Sequence, residues 1–212
     1  MEPDAVEIRV VGCLIEKQRT TPDAYPLSLN SLRLACNQAT NRDPVVEYDE
    51  PTIRGALDGL RRRGWARLAS GPGSRAAKYR HLFDEAVGLS GEEISVLCVL
   101  MLRGPQTPGE LKQRTERLHR FDGLGRIDGV LTGLADRELV VRLGRRPGQK
   151  EDRYAHLLGG DEPAAPAAAP AAAAGDDDRL DTVERELVEL RDEVRALREE
   201  LGAVRSRLHD PA

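Results

Sequence analysis

Two stretches of this chain repeat each other, and that repetition limits the possible folds more than any other feature. Residues 72–82 read Pro-Gly-Ser-Arg-Ala-Ala-Lys-Tyr-Arg-His-Leu, and residues 147–157 read Pro-Gly-Gln-Lys-Glu-Asp-Arg-Tyr-Ala-His-Leu. Upstream of each lies a second match, Ile53-Arg54-Gly55-Ala56-Leu57-Asp58-Gly59-Leu60 against Ile127-Asp128-Gly129-Val130-Leu131-Thr132-Gly133-Leu134. Two matched blocks in the same order mean a duplicated module of about 75 residues.

The first copy can be read for structure. Val6, Val10, Cys13 and Leu14 recur at helical spacing, so an amphipathic helix runs to about Gln18. Ser28 caps a second helix carrying Leu29, Leu32, Leu34 and Ala35. Asp49 caps a third, with Pro51 in its first turn and Ile53, Ala56, Leu57 and Leu60 inward, and it stops at Gly64. Trp65 to Leu68 alternates as a strand, residues 70–74 are turn chemistry, and Ala77 to Leu82 returns as a second strand. In the second copy Ser90 caps a helix ending at Gly104, and Thr107-Pro108-Gly109-Glu110 is a capping box opening a short one. Residues 122–138 are the third helix and 139–157 the hairpin, with its tip at Arg145-Arg146-Pro147-Gly148. Helix, helix, helix, hairpin is the order of a winged helix. The expected class is mainly α with small β-hairpins (α+β), as two tandem winged-helix domains, 1–84 and 88–158.

Several motifs resemble the uncharacterised bacterial YceH-like family of tandem winged-helix proteins. They are Cys13-Leu14-Ile15-Glu16-Lys17, Tyr25-Pro26-Leu27-Ser28-Leu29-Asn30, Ala35-Cys36-Asn37-Gln38, Leu102-Arg103-Gly104-Pro105-Gln106-Thr107 and Arg153-Tyr154-Ala155-His156-Leu157-Leu158. The resemblance covers roughly residues 5–160, implies the tandem winged-helix fold, and brings no activity with it. On these motifs the tail lies outside it.

The tail has its own logic. Residues 159–178 form an Ala/Pro/Asp linker in which Pro163, Pro166 and Pro170 prevent a continuous helix. Residues 179–209 then place Leu180, Val183, Leu187, Leu190, Val194, Leu197, Leu201, Val204 and Leu208 at alternating spacings of three and four, the a and d positions of a coiled coil. In a parallel, in-register pair the flanking contacts are Arg179–Glu184, Glu186–Arg191, Glu193–Arg198 and Glu200–Arg205, all opposite in sign. The charge pattern selects a parallel homodimer, and the Leu/Val core leaves dimer against trimer open. The other reading is a helix packed back on its own winged helices.

Charge bears on partners. The net charge of −4 divides unevenly: residues 1–158 hold 25 Lys+Arg against 22 Asp+Glu, and residues 159–212 hold 7 against 14. A mildly basic globular part permits double-stranded DNA as a partner without demanding it. The candidate DNA-binding residues are Thr52, Arg54, Arg61 and Arg62 on the third helix and Arg75 and Lys78 on the first wing. Arg145, Arg146 and Lys150 on the second wing complete the set. Arg67, Arg80, Arg142 and Arg153 stand on the same strands. Against this, Asp49, Glu50 and Asp122 sit where phosphates would approach. The alternative is a protein-interaction scaffold, with the polar link Asn37 to Glu47 as a functional loop or as a self-satisfied turn.

No catalytic residue is proposed. His81 and His156 occupy equivalent strand ends, for which a shared structural hydrogen bond is the simpler account, and the nucleophile and phosphate-loop motifs are missing. Cys13, Cys36 and Cys98 sit among apolar residues and read as buried free thiols, with no metal or cofactor expected. Gly55, Gly59, Gly129 and Gly133 lie inside helices, where close helix approach is the expected reason. The chain shows no apolar run long enough for a membrane span and reads as cytoplasmic.

Overall fold

The computed structural model describes residues 2–69, 77–144 and 151–159. Arg75, Arg145, Arg146, Lys150 and the whole tail, with its nine a and d positions, lie outside the described residues. What is described belongs to one compact unit of α+β type.

The first copy opens with α1 (Ala5–Thr20), followed by β1 (Leu27–Ser28), α2 (Leu29–Cys36), α3 (Glu50–Arg62) and the hairpin β2 (Ala66–Leu68) and β3 (Lys78–His81). A short α4 (Phe83–Val87) leads to the second copy: α5 (Gly91–Arg103), α6 (Pro108–Thr115), α7 (Leu124–Asp136) and the hairpin β4 (Val140–Leu143) and β5 (Arg153–His156). The helix starts fall where side chains can cap them. Asp4 with Glu7, Ser90 with Glu93 and Thr107 with Glu110 form reciprocal capping boxes, and Ser28 and Asp49 cap α2 and α3. The third helix of the second copy departs from expectation. It begins at Gly123, which offers no side-chain cap, so Asp122 stands outside it.

The copies match down to register. In the first hairpin Ala66 faces His81 and Leu68 faces Tyr79; in the second Val140 faces His156 and Arg142 faces Tyr154. The amide of Leu82 donates to the carbonyl of Trp65 at 2.7 Å, and that of Leu157 to Leu139 at 2.9 Å. Each third helix is followed by a left-handed residue, Gly64 (φ 73°) in one copy and Glu138 (φ 55°) in the other. A third, very short strand precedes each second helix: Leu27 pairs with Tyr79, and Gln106 bridges to Tyr154. The first sheet therefore has the order β1-β3-β2.

The helices α1 and α5 form the spine. Both are buried almost all round, Glu7–Ile15 and Ile94–Leu102, because each packs within its own copy and against the other. The buried residues of both copies make one continuous core. The two spines meet where Gly12 leaves room for Leu102, whose Cδ2 would lie 3.0 Å from a β-carbon there. At that point the Cys98 thiol donates to the Gly12 carbonyl at 3.4 Å. Gly12 and Cys98 each lie eight positions after their N-caps, Asp4 and Ser90.

Of the four glycines expected to permit close helix approach, Gly59 alone does so, with the Glu7 carboxylate in the space a β-carbon would take. Gly55, Gly129 and Gly133 have nothing within 4 Å, being on outward or open positions of their helices. All three cysteines are buried free thiols. Burial pushes the Cys98 thiol well above its ordinary range.

Candidate nucleic-acid interface

The helix α3 turns Ile53, Ala56, Leu57 and Leu60 into the core, which obliges the intervening positions to face out. Glu50, Arg54, Asp58, Arg61 and Arg62 accordingly share an exposed face at spacings of four, four, three and one. The outward arginines are not all free. Arg54 pairs with Glu50 at 2.7 Å and Arg61 with Asp58 at 3.2 Å, each pair about half exposed. Arg62 has no carboxylate within ion-pair distance among the described residues, and the same holds for exposed Arg67 and Lys78 on the hairpin. Thr52 serves the cap: its amide donates to Asp49 at 2.9 Å, and hydrogen bonds from its hydroxyl and amide hold the Asp49 carboxyl below the usual range.

Arg63, at the end of α3, belongs to the fold. Its guanidinium pairs with the buried Glu7 at 3.4 Å, donates to the Glu2 carbonyl at 2.7 Å and lies over the Trp65 ring. Arg80 pairs with Glu85 at 3.2 Å.

The equivalent face of the second copy has a different chemistry. Along α7 the exposed positions are Leu124 (49% exposed), Gly125, Arg126, Asp128, Gly129, Thr132 and Asp136. Its one cation, Arg126, is paired with Glu92, and hydrogen bonding from Arg126 lowers the Glu92 carboxyl. On the hairpin Arg142 is paired with Asp152. Arg153 ties the strand to the start of α6 through the Pro105 carbonyl (2.8 Å) and Glu110 (3.0 Å). Between α6, α7 and this hairpin lies a cavity of about 340 Å³ lined by Pro108, Leu124, Asp128, Arg142, Glu151 and Tyr154 among others.

The polar link of the first copy is held from inside. Arg42 is a buried guanidinium whose donors are all engaged: Glu16 at 3.1 and 2.5 Å, Gln38 at 2.9 Å, and the carbonyls of Ala35 (3.1 Å) and Asn41 (2.8 Å). Burial works against its charge, but the hydrogen-bonded Glu16 outweighs it and holds the guanidinium more firmly protonated than usual. Arg9 donates to the Pro44 carbonyl at 2.6 Å, and Asn37 bridges both backbone groups of Tyr48 at 2.8 and 2.9 Å. The self-satisfied turn is the reading that these bonds favour. The Arg9 and Arg42 anchors were missed in the sequence, where a buried arginine looks like any other; the one available signal was the unusual length of the link.

The two equivalent histidines, His81 buried and His156 half-buried, are neutral, and burial lowers each to a pKa of about 4. The shared hydrogen bond expected of them is not what they share. His81 Nε2 meets Gln18 at 2.6 Å, while Nδ1 of both rings is buried without a hydrogen-bond partner. What recurs is the register position, which forces both rings inward. Among the described residues no group of three or more His, Cys, Asp or Glu could hold a metal ion, and no helix is long and apolar enough to cross a membrane.

Comparison with known proteins places this arrangement. A family model described as "Protein of unknown function, DUF480" matches residues 4–149. The chain is similar to a UPF0502 protein of Pelobacter propionicus, 51% identical over 204 residues covering 91% of each chain. It is also similar to one of Serratia proteamaculans, 46% identical over 206 residues covering 93% of this chain and 96% of that one. A third, from Solibacter usitatus, is 49% identical over 192 residues. Coverage of 91% is more than residues 1–159 could supply, so the likeness extends into the tail, further than the motifs alone reached. With a family model over most of its length and relatives of nearly equal extent, this chain belongs to the DUF480, or UPF0502, family of bacterial proteins.

Proposed function

We propose that the chain is a tandem winged-helix protein that binds double-stranded DNA, and that the first copy makes the contact. Support for the winged-helix reading comes from the order helix, short strand, helix, helix, hairpin in both copies, with the short strand paired to the returning hairpin strand. In such a unit the third helix enters the major groove and the hairpin lies along the backbone. The observation that carries the DNA reading is the exposed face of α3, where Arg54, Arg61 and Arg62 stand in one row, with Arg67 and Lys78 exposed on the adjoining strands. The tail is proposed to join two chains as a parallel coiled coil, which would double a modest individual contact.

A second reading, a protein-interaction scaffold, draws on the second copy. The outward face of α7 offers an apolar Leu124, two glycines and two carboxylates, with its only cation already paired. That face repels phosphate and suits a protein.

The test is fluorescence anisotropy with a random-sequence duplex at two salt concentrations. Micromolar or tighter binding that weakens steeply with salt is expected, because phosphate contacts release counterions. Arg61→Ala with Arg62→Ala should weaken it by about tenfold or more, while Arg126→Ala with Arg142→Ala should leave it within about twofold. No binding at low salt would remove the DNA reading and favour the scaffold.

A further inference from the structure

Resting on the DNA reading, we propose that Glu50 and Asp58 act as specificity-determining residues, suppressing binding to arbitrary DNA so that α3 engages a site of suitable base sequence. The two carboxylates lie in the same exposed row as the three arginines, and two of those arginines are already bonded to them, Arg54 to Glu50 at 2.7 Å and Arg61 to Asp58 at 3.2 Å. The row therefore presents three positive and two negative charges, a net of one. A phosphate backbone approaching this face gains little. To pair with it, each arginine must leave its carboxylate, and the carboxylate then stands uncompensated beside the phosphates.

Base edges change this balance. A guanine offers Arg a bidentate pair of acceptors and its cytosine an amino donor for a carboxylate, whereas an A·T pair offers a donor and single acceptors but no bidentate pair for Arg. An alternating acidic and basic row thus reads mixed G·C steps, each ion pair exchanging its internal bonds for bonds to a base pair. Gly55, exposed at the flank of this row, has nothing within 4 Å and leaves the helix backbone uncovered there.

The test compares the wild-type full-length protein with the double variant Glu50→Gln, Asp58→Asn, which keeps side-chain shape on an exposed helix. On a random-sequence duplex the variant should bind about tenfold tighter at low salt, and its log–log salt dependence should steepen by about two. Selection from a pool of duplexes with a randomised core should then enrich sequences strongly for the wild type and weakly for the variant. If affinity and salt dependence are unchanged while Arg54→Ala with Arg61→Ala weakens wild-type binding, the carboxylates have no such role and the DNA reading stands. Equal enrichment by both proteins would overturn the specificity claim. If neither protein binds random duplex at the lowest salt, the DNA reading falls and this inference falls with it.

Discussion

The two copies share a backbone plan but hold the link between their second and third helices in opposite ways. In the first, residues 37–49 are secured by buried polar groups, with Arg42 on Glu16 and on the end of α2, Arg9 on Pro44, and Asn37 on Tyr48. In the second, the shorter link 116–123 is secured by an apolar anchor, Phe121, buried in the core beside half-buried Leu118. A long link cannot be buried without partners for its carbonyls and amides, so it imports guanidinium and amide donors. The short one leans on its hydrophobic pin and takes a guanidinium bond from Arg19 to the Leu118 carbonyl at 3.3 Å. The same divergence marks the outer faces: α3 is charged and α7 nearly free of cations. Duplication preserved the registers that form the core and released the surfaces.

The comparison breaks most severely at Arg42. Its replacement by Ala leaves Glu16 poorly compensated and strips donors from two carbonyls, a loss of about 3–5 kcal/mol for a buried pair deprived of one partner. An exposed pair of the second copy, Arg126 with Glu92, supplies the contrast, and Arg126→Ala should cause no measurable loss. Urea unfolding of the two variants decides it, and equal losses would mean that the link is not held as described.

Acid tests what the copies have in common. His81 and His156 have folded-state pKa values of about 4, below the ordinary value of 6.5. Above pH 6.5 neither state carries the proton, so these groups contribute nothing to the pH dependence. Below it the unfolded chain takes up protons that the folded chain refuses, and stability falls until about pH 4. Each histidine costs up to about 3 kcal/mol over that window. His81→Gln and His156→Gln should each make the fall in unfolding free energy between those limits shallower, the lowered carboxyls of Asp49, Glu92 and Glu93 supplying the part that remains. A curve that His156→Gln leaves unaltered would mean that its ring is not held neutral in the fold.

The smallest effect sharpens the comparison at the helix ends. Gly64 and Glu138 occupy the same left-handed position, where a side chain is strained and glycine is not. Glu138→Gly should therefore raise stability by up to about 1 kcal/mol and Gly64→Ala lower it by a similar amount, measured as opposite shifts in Tm.

Much of this was readable from residues alone. The caps Ser28, Asp49, Ser90 and Thr107, the inward row of α3 and both hairpins follow from local patterns whose physics is local: a side chain reaching the third amide, a 3.6-residue period, a turn between alternating runs. Leu27–Ser28 and Gln106 escaped because a strand of one or two residues has no periodicity, and only the returning Tyr79 and Tyr154 define it. The role of Glu7 escaped for another reason: its buried carboxylate is explained by Gly59 and Arg63, more than fifty residues away. On α3 the exposed row was legible, while its internal pairing needed side-chain geometry. Which glycines were crowded depended on what lay outside each helix, and Gly12, where α1 makes room for Leu102 of α5, gave no pattern at all.

That crossing has a further meaning. Gly12 and Cys98 occupy the same position in their respective helices, and they touch each other. Contact between equivalent positions is the mark of an isologous interface, the kind that two identical subunits form across a dyad. At this crossing the two copies meet as two identical subunits would across a dyad. Their pairing no longer depends on concentration, and the two halves no longer need to be identical. A single half expressed alone would leave the Gly12 surface of α1 without the partner that α5 provides in the intact chain.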